Sequence, residues 1–177
     1  WMAEGKKNEE VVLMTASLAR LLRQSISIEN ELVTIGQEVE YVRSYLTIQK
    51  MRYKDKLEFE INVDPRITHA QIIRLVLQPI VENAIYHGLK YKESKGMLKV
   101  HGYELGERII IDITDDGVGM DEETLKHIYD KHKVNYHSNG VGVYNVQQRL
   151  VLYYGKEYGI IYHSEKGKGT TATVVIP

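Results

Sequence analysis

The hydrophobic period of this chain changes once, near residues 54–56, and that change limits what it can fold into. Before it the period is helical. Val11, Met14, Leu18 and Leu21 recur at 3-4-3 spacing and predict a helix over about residues 8–25. Ser27-Ile28-Glu29-Asn30 interrupts the pattern. A second stripe, Ile35, Val39, Val42 and Leu46, follows Thr34, which with Gln37 three residues on reads as a capping box. Two amphipathic helices with a short connection make a helical hairpin. Packing on the domain that follows and forming a dimer stalk both fit these stripes.

After Lys56 the period becomes mixed. Leu57, Phe59, Ile61 and Val63 alternate with polar residues, as in a half-buried strand, which Asp64-Pro65 ends. Residues 69–90 read as helical, with Ile72, Ile73, Val76, Ile80, Ala84 and Leu89 inward and Pro79 expected to kink or restart the helix. Strands are expected over 98–103 and 108–114. Asp121 is expected to cap a short helix over 122–129. Residues 131–139 carry almost no apolar content and read as a mobile loop or lid. A helix from about Gly142 to Tyr154 and a terminal hairpin (158–164 and 170–176) complete the chain. The expected fold class is α+β, a two-layer α/β sandwich preceded by the hairpin, with units 1–54 and 55–177.

Three short motifs occupy fitting contexts: Asn83 on a helix, Asp115-Asp116-Gly117-Val118-Gly119 after a strand, and Asn139-Gly140-Val141-Gly142 before a helix. Each alone is weak, but their order and contexts together predict a nucleotide site. A side-chain amide can hold magnesium, a strand-end carboxylate can read an exocyclic amine, and small residues let backbone N–H groups approach phosphates. Asp115 ends an Ile-rich strand, where an unpartnered carboxylate would be costly. Asp116 reads as the turn acid of an Asp-Gly pair. Gly117, Gly119, Gly140 and Gly142 fit either nucleotide contact or plain turns.

Composition narrows the partners. Lys and Arg total 23 against 24 for Asp and Glu, a net charge of −1, so no basic field points to nucleic acid. The absence of cysteine excludes disulfides and thiolate metal sites and fits a reducing, cytoplasmic setting. No apolar run approaches the roughly 18 residues of a membrane span. The opening residues read as a solvated tail or the cut end of a longer protein.

The string Leu77-Gln-Pro-Ile-Val-Glu-Asn-Ala-Ile-Tyr-His-Gly88 resembles the N box of sensor histidine kinases, particularly the LytS-like branch. Asp115–Gly119 is similar to their first glycine box, and Asn139–Gly142 followed by Asn145 to the second. Gly167-Lys-Gly-Thr-Thr171 resembles the terminal Gly-Thr box, which brings in Thr170; Leu18–Ser25 and Glu38–Arg52 also look like this branch. The resemblance implies the Bergerat ATP-binding fold, with ATP and Mg2+ as cofactors. It further implies phosphorylation of a histidine and relay to a response regulator, a homodimeric parent protein, and membrane anchoring of that parent but not of this piece. Two departures stand out. No string like His-Phe-Leu-Tyr-Asn, the family's phosphoacceptor motif, occurs here, and Tyr86 stands where relatives often carry Lys or Arg.

Asn83 is the expected magnesium ligand. Glu82, about 100° round the helix, fits either a role on metal-bound water or proton transfer, or a solvated carboxylate. His87, one turn after Asn83, fits a phosphate-side role or a capping and packing one. Arg149 reads as a surface cation, and Tyr103, Tyr153 and Tyr162 as packing. The alternatives to a histidine kinase are an anti-sigma-factor serine kinase and a nucleotide-responsive dimerisation module.

Overall fold

The computed structural model describes residues 8–26, 31–128 and 140–177. The 27–30 connection, the 131–139 loop and Asn139 lie outside these residues. Helix α1 (Asn8–Ile26) and helix α2 (Ile35–Tyr53) pack on each other, as the stripes predict. Thr34 and Gln37 form the expected capping box: the Gln37 N–H donates to Thr34 Oγ1 at 3.1 Å, and the Thr34 N–H to Gln37 Oε1 at 2.8 Å. Lys54, at φ +52, ends α2 where the hydrophobic period changes.

A five-stranded sheet follows, in the order β2-β4-β5-β7-β6. Its strands are β2 (Leu57–Val63), β4 (Gly96–Leu105), β5 (Arg108–Asp115), β6 (Gly159–Glu165) and β7 (Gly169–Ile176). Only β2 and β4 run parallel; the other neighbours are antiparallel. The inner face carries Leu98 and Val100 from β4, Ile111 and Ile113 from β5, and Ala172, Val174 and Ile176 from β7. Against it pack α2, helix α3 (Leu77–Asn83) and helix α5 (Gly140–Tyr154), through residues such as Leu46, Leu77 and Leu150, all fully buried. One helical layer on one sheet is the expected two-layer architecture. The outer face is polar: Tyr103 and Thr173 hydroxyls donate to the two Asp112 oxygens at 3.2 and 2.6 Å.

The stretch 69–90 is not helical throughout, and of the two outcomes expected around Pro79 the restarted helix is the one observed. Ile72 and Ile73 lie in a strand, β3 (Gln71–Ile73), antiparallel to β1 (Leu32–Thr34) with Val33 opposite Ile72. Their spacing to Val76 and Ile80 fits a helix face, but a strand partner 40 residues away overrides the local pattern. All six positions expected to point inward are buried nonetheless. Pro79 produces no kink because α3 begins only at Leu77. In a first turn the missing N–H had no intrahelical acceptor to lose. A π-helical turn, Ala84–Leu89, then continues α3.

The hairpin is not set apart from the sheet. Ile35, Val39, Val42 and Leu46 belong to the same core as the strands, and β1 pairs with β3. For α2, packing on the following elements is therefore the observed arrangement. On α1, Val11 and Met14 are half-buried, whereas Leu18, expected inward, is 50% exposed. Short helix α4 (Glu122–Lys126) is capped by Asp121, whose carboxylate accepts from the Thr124 N–H at 2.9 Å.

Because its capping box starts the helix that carries Ile35, Val39, Val42 and Leu46 into the core, Thr34→Ala should cost about 1 kcal/mol of stability. Urea unfolding of both forms checks this; equal midpoints would mean the cap contributes nothing.

Candidate nucleotide-binding site

Strand alternation puts Asp115 on the same inner face as Ile111 and Ile113, where the helical layer shuts out water. It is 4% exposed. Its Oδ1 accepts from the Gly117 N–H at 2.9 Å, two residues on, closing an Asx turn. Gly88, at the end of the π-helical turn, lies directly against this carboxylate, and a Cβ there would overlap it. Absence of a side chain is what lets helix and carboxylate share the space.

The loop after β5 is tied on both sides. The Val118 N–H donates to the Gly88 carbonyl at 3.1 Å, and the Gly167 N–H donates to the Val118 carbonyl at 2.7 Å. Gly119 adopts φ +63 and its Cα faces the Glu165 carbonyl, so only glycine fits. Asp116, by contrast, points away from the cavity, accepting from the Met97 N–H at 2.8 Å and pairing with Lys92 at 2.7 Å. This matches its reading as a turn acid.

These elements enclose a cavity of about 630 Å³. Ile80, Ala84, Ile113 and Ala172 form apolar walls, and Asp115 and Asn83 present polar atoms. Gly119, Met120, Thr170, Tyr162 and the residues around α4 complete the lining. Asn83 Oδ1 is buried and has no hydrogen-bond partner among the described residues. An orphaned buried acceptor on a residue that lines a cavity fits a cation or donor from a ligand, which a turn of the amide would bring into reach. No cluster of three or more His, Cys, Asp or Glu able to hold a metal occurs among the described residues. A metal at Asn83 would therefore need most of its oxygens from a bound ligand and water, as magnesium commonly does on phosphates.

Residues 68–177 match the family model described as histidine kinase-, DNA gyrase B- and HSP90-like ATPase. The chain belongs to this ATPase family. Residues 1–57 match a second model, histidine kinase. Over its whole length the chain is 33% identical to the sensor histidine kinase YesM of Bacillus subtilis, spanning 29% of that protein. It is 31% identical over 90% of its length to the sensor protein LytS of Oceanobacillus iheyensis, spanning 28% of it. Among solved structures, the histidine kinase domain of an Erythrobacter litoralis blue-light activated kinase superposes with TM-score 0.59 at 16% identity. That match covers 95% of this chain and 74% of the other. The mycobacterial sensor histidine kinase MprB gives TM-score 0.58 at 23% identity, over 83% and 96% of the two chains. These likenesses carry the fold.

The structure of this ATPase-family chain brings together some of the residues singled out in its sequence and leaves others apart. Asn83, His87, Asp115, Gly119 and Thr170 line the cavity. Gly117 supports it through its N–H. The Thr170 hydroxyl is engaged with Ser164 Oγ at 2.8 Å. His87 is exposed at the mouth, its imidazole held below the usual histidine value by partial desolvation and by Lys90. Lys90 also stands 5.5 Å from the ring centre of Tyr86. Glu82 lies off the cavity and accepts from Gln78 Nε2 at 2.6 Å. Gly140, Gly142 and Asn145 start α5; Gly142 and Asn145 are not among the described lining residues, and Gly142 instead packs beside Pro79.

A buried carboxylate escaped the sequence reading. Glu38 on α2 is 5% exposed, and both its oxygens are taken by the backbone at the start of α3. Its position three residues after Ile35 and four before Val42 places a charge inside an apolar stripe, which is the signal that could have found it.

Burial pushes the Asp115 carboxyl from its ordinary 3.8 up to about 6, against the N–H groups of Gly117 and Thr170, with Asp116 adding to the rise. A folded-state value above the unfolded one means the folded chain holds more protons between the two. The stability this group contributes is complete below the lower value and is lost as pH rises through the upper one. Asp115→Asn should therefore be more stable than the unsubstituted chain at pH 7, by about 2–3 kcal/mol, with a flatter profile from about pH 4 to 6. Denaturant unfolding across that range tests this, and parallel profiles for the two forms would contradict it.

Proposed function

We propose that this chain is the ATP-binding catalytic portion of a two-component sensor histidine kinase, which transfers the γ-phosphoryl group of ATP to a histidine for relay to a response regulator. The observation that carries the reading is the pairing of two unusual polar groups on one apolar cavity. The Asp115 carboxylate stands among isoleucines, and the Asn83 amide oxygen has no described partner. Each is costly without a ligand. An adenine amino group donating to Asp115 would lower the cost of ionising it. The flat base would sit between the walls of Ile80, Ala84, Ile113 and Ala172.

With the base so placed, the triphosphate runs toward Asn83 and His87. Asn83 is the residue that would hold magnesium. Bound there, the ion would neutralise charge on the phosphate oxygens during transfer. The rest is placement: Asp115 fixes the base, the apolar walls exclude water from it, and Asn83 sets the phosphate end. His87, at the mouth and favouring its neutral form, is positioned to meet the phosphates or the incoming acceptor. The seven histidines of this chain, His69, His87, His101, His127, His132, His137 and His163, stand outside any phosphoacceptor-like motif. The acceptor imidazole is accordingly supplied from elsewhere, within a homodimer in the parent protein. No helix among the described residues is long and apolar enough to cross a membrane. We place this portion in the cytoplasm, with any membrane anchor elsewhere in the parent.

Calorimetric titration separates the roles at the site. Asp115→Asn should weaken ATP roughly ten- to hundred-fold. Asp116→Asn should leave affinity near that of the unsubstituted chain, because its partners are Met97 and Lys92. Asn83→Ala should abolish the magnesium dependence of ATP affinity and spare adenosine. Equal losses for the two aspartates would remove the base assignment, and a full magnesium effect in Asn83→Ala would remove the metal assignment.

Transfer itself is tested by mixing the chain, labelled ATP, magnesium and a helical peptide bearing a His-Phe-Leu-Tyr-Asn motif. Acid-labile label on the peptide histidine is the expected result. Acid-stable phosphoserine would indicate a serine kinase, and binding without transfer would indicate a nucleotide-responsive module.

A further inference from the structure

From the last residue of β3 to the first of α3, residues 73–77, every backbone N–H finds a partner from a distant element. The Ile73 N–H donates to the Tyr154 hydroxyl at 3.2 Å, and the Arg74 N–H donates to the Glu31 carbonyl at 3.0 Å. The next three, from Leu75, Val76 and Leu77, all donate to the Glu38 carboxylate, at 2.7, 3.0 and 3.1 Å. On the other side, Arg149 Nη2 donates to the Arg74 carbonyl at 2.9 Å.

Leu75 adopts φ +60, a left-handed conformation unfavourable for a branched side chain, and Val76 returns to the right-handed region at φ −90, ψ −52. A left-handed residue followed by a right-handed one turns consecutive N–H groups toward one point, a concavity that binds anions. Here the anion is the chain's own Glu38, from a helix that also packs against α1. Burial raises the Glu38 carboxyl, while the three N–H groups and Arg149 oppose that rise.

Six residues, about 9 Å of helix, separate Leu77 from Asn83. A helix transmits a shift of its first turn to its last nearly undiminished. Asp115 is held by the sheet and by the Gly117 N–H, and touches the same helical unit only at Gly88, beyond Asn83. Asp115 therefore has a support of its own, the sheet, that Asn83 lacks.

We propose that Glu38 is a positioning residue for the nucleotide site: by seating the first turn of α3 on α2, its carboxylate sets where the Asn83 side chain stands in the cavity wall. The inference rests on the reading of Asn83 as the magnesium-side residue. It makes α2, and through it α1, the element whose displacement would reach the phosphate end of the site before the base end.

Glu38→Gln places an NH2 group where an oxygen now accepts, so at least one of the three N–H donors loses its acceptor. In the 177-residue chain, adenosine affinity should remain within about twofold of the unsubstituted value. The gain in ATP affinity on adding magnesium should fall about tenfold. Equal loss for adenosine and magnesium-ATP would mark Glu38 as merely structural, and no change in either would also overturn the proposal. Should the variant fail to fold, by circular dichroism, the unsubstituted protein still decides. Coupling is reciprocal, so magnesium-ATP should slow hydrogen exchange at the Leu75, Val76 and Leu77 amides, while adenosine should not. Unchanged exchange with magnesium-ATP would overturn it. If the unsubstituted chain binds neither ligand, the nucleotide reading falls and the Glu38 proposal with it. Binding that Glu38→Gln leaves unaltered defeats the proposal alone.

Discussion

A carboxylate buried at the end of an apolar strand is the constraint around which the rest of the sheet domain is arranged. Asp115 occupies an inward position that the alternation of β5 would otherwise fill with another isoleucine. Burying it without a direct ion pair among the described residues penalises ionisation, which Lys92, paired to Asp116, offsets only in part. The surrounding features limit that penalty without removing it. Gly117 donates one N–H, Gly88 gives up its side chain to make room, and Gly119 turns the loop back toward the terminal hairpin. The outcome is a preformed cavity whose floor is less stable than it would be with an apolar residue. Stability given up at one inward position is what a binding site of this kind requires, because a fully satisfied floor would have nothing left to offer a ligand.

The same logic recurs on the helical side. Asn83 has a buried acceptor with no partner among the described residues, and its placement depends on a helix only seven residues long before the π-helical turn. So short a helix has little intrinsic stability. Its position is imposed from outside: Glu38 holds its first turn, Gly142 lets α5 approach at Pro79, and the Val118 N–H holds the far end at Gly88. The family models divide the chain between residues 57 and 68, but the packing does not. Ile35, Val39, Val42 and Leu46 are core residues of the sheet domain, so α2 and the cavity are mechanically one unit.

Where the sequence could be read, the information was local. Thr34 and Gln37 announced the start of α2, alternation announced β2, β4, β5 and the terminal hairpin, and the Asp-x-Gly-x-Gly string announced the turn below the cavity. Misreading came where distant partners outweighed local period. Ile72 and Ile73 fit a helical face, yet β1 supplied a strand partner and Leu75 broke the chain direction with a left-handed residue. Glu82 and Asn83 are neighbours in sequence and equally polar. Only the packed helix shows that Asn83 faces the cavity while Glu82 turns to Gln78.

The amino-acid sequence by itself determined the class of fold, the polar residues available to a nucleotide, and the glycines without which the chain could not close around Asp115. These follow from periodicity and steric freedom, which are properties of short segments. Tertiary structure alone decided that a glutamate from α2 would start α3, that α2 would join the core of the sheet domain, and which of several polar side chains would share one cavity. Those outcomes depend on contacts between segments tens of residues apart, whose energies no local pattern encodes.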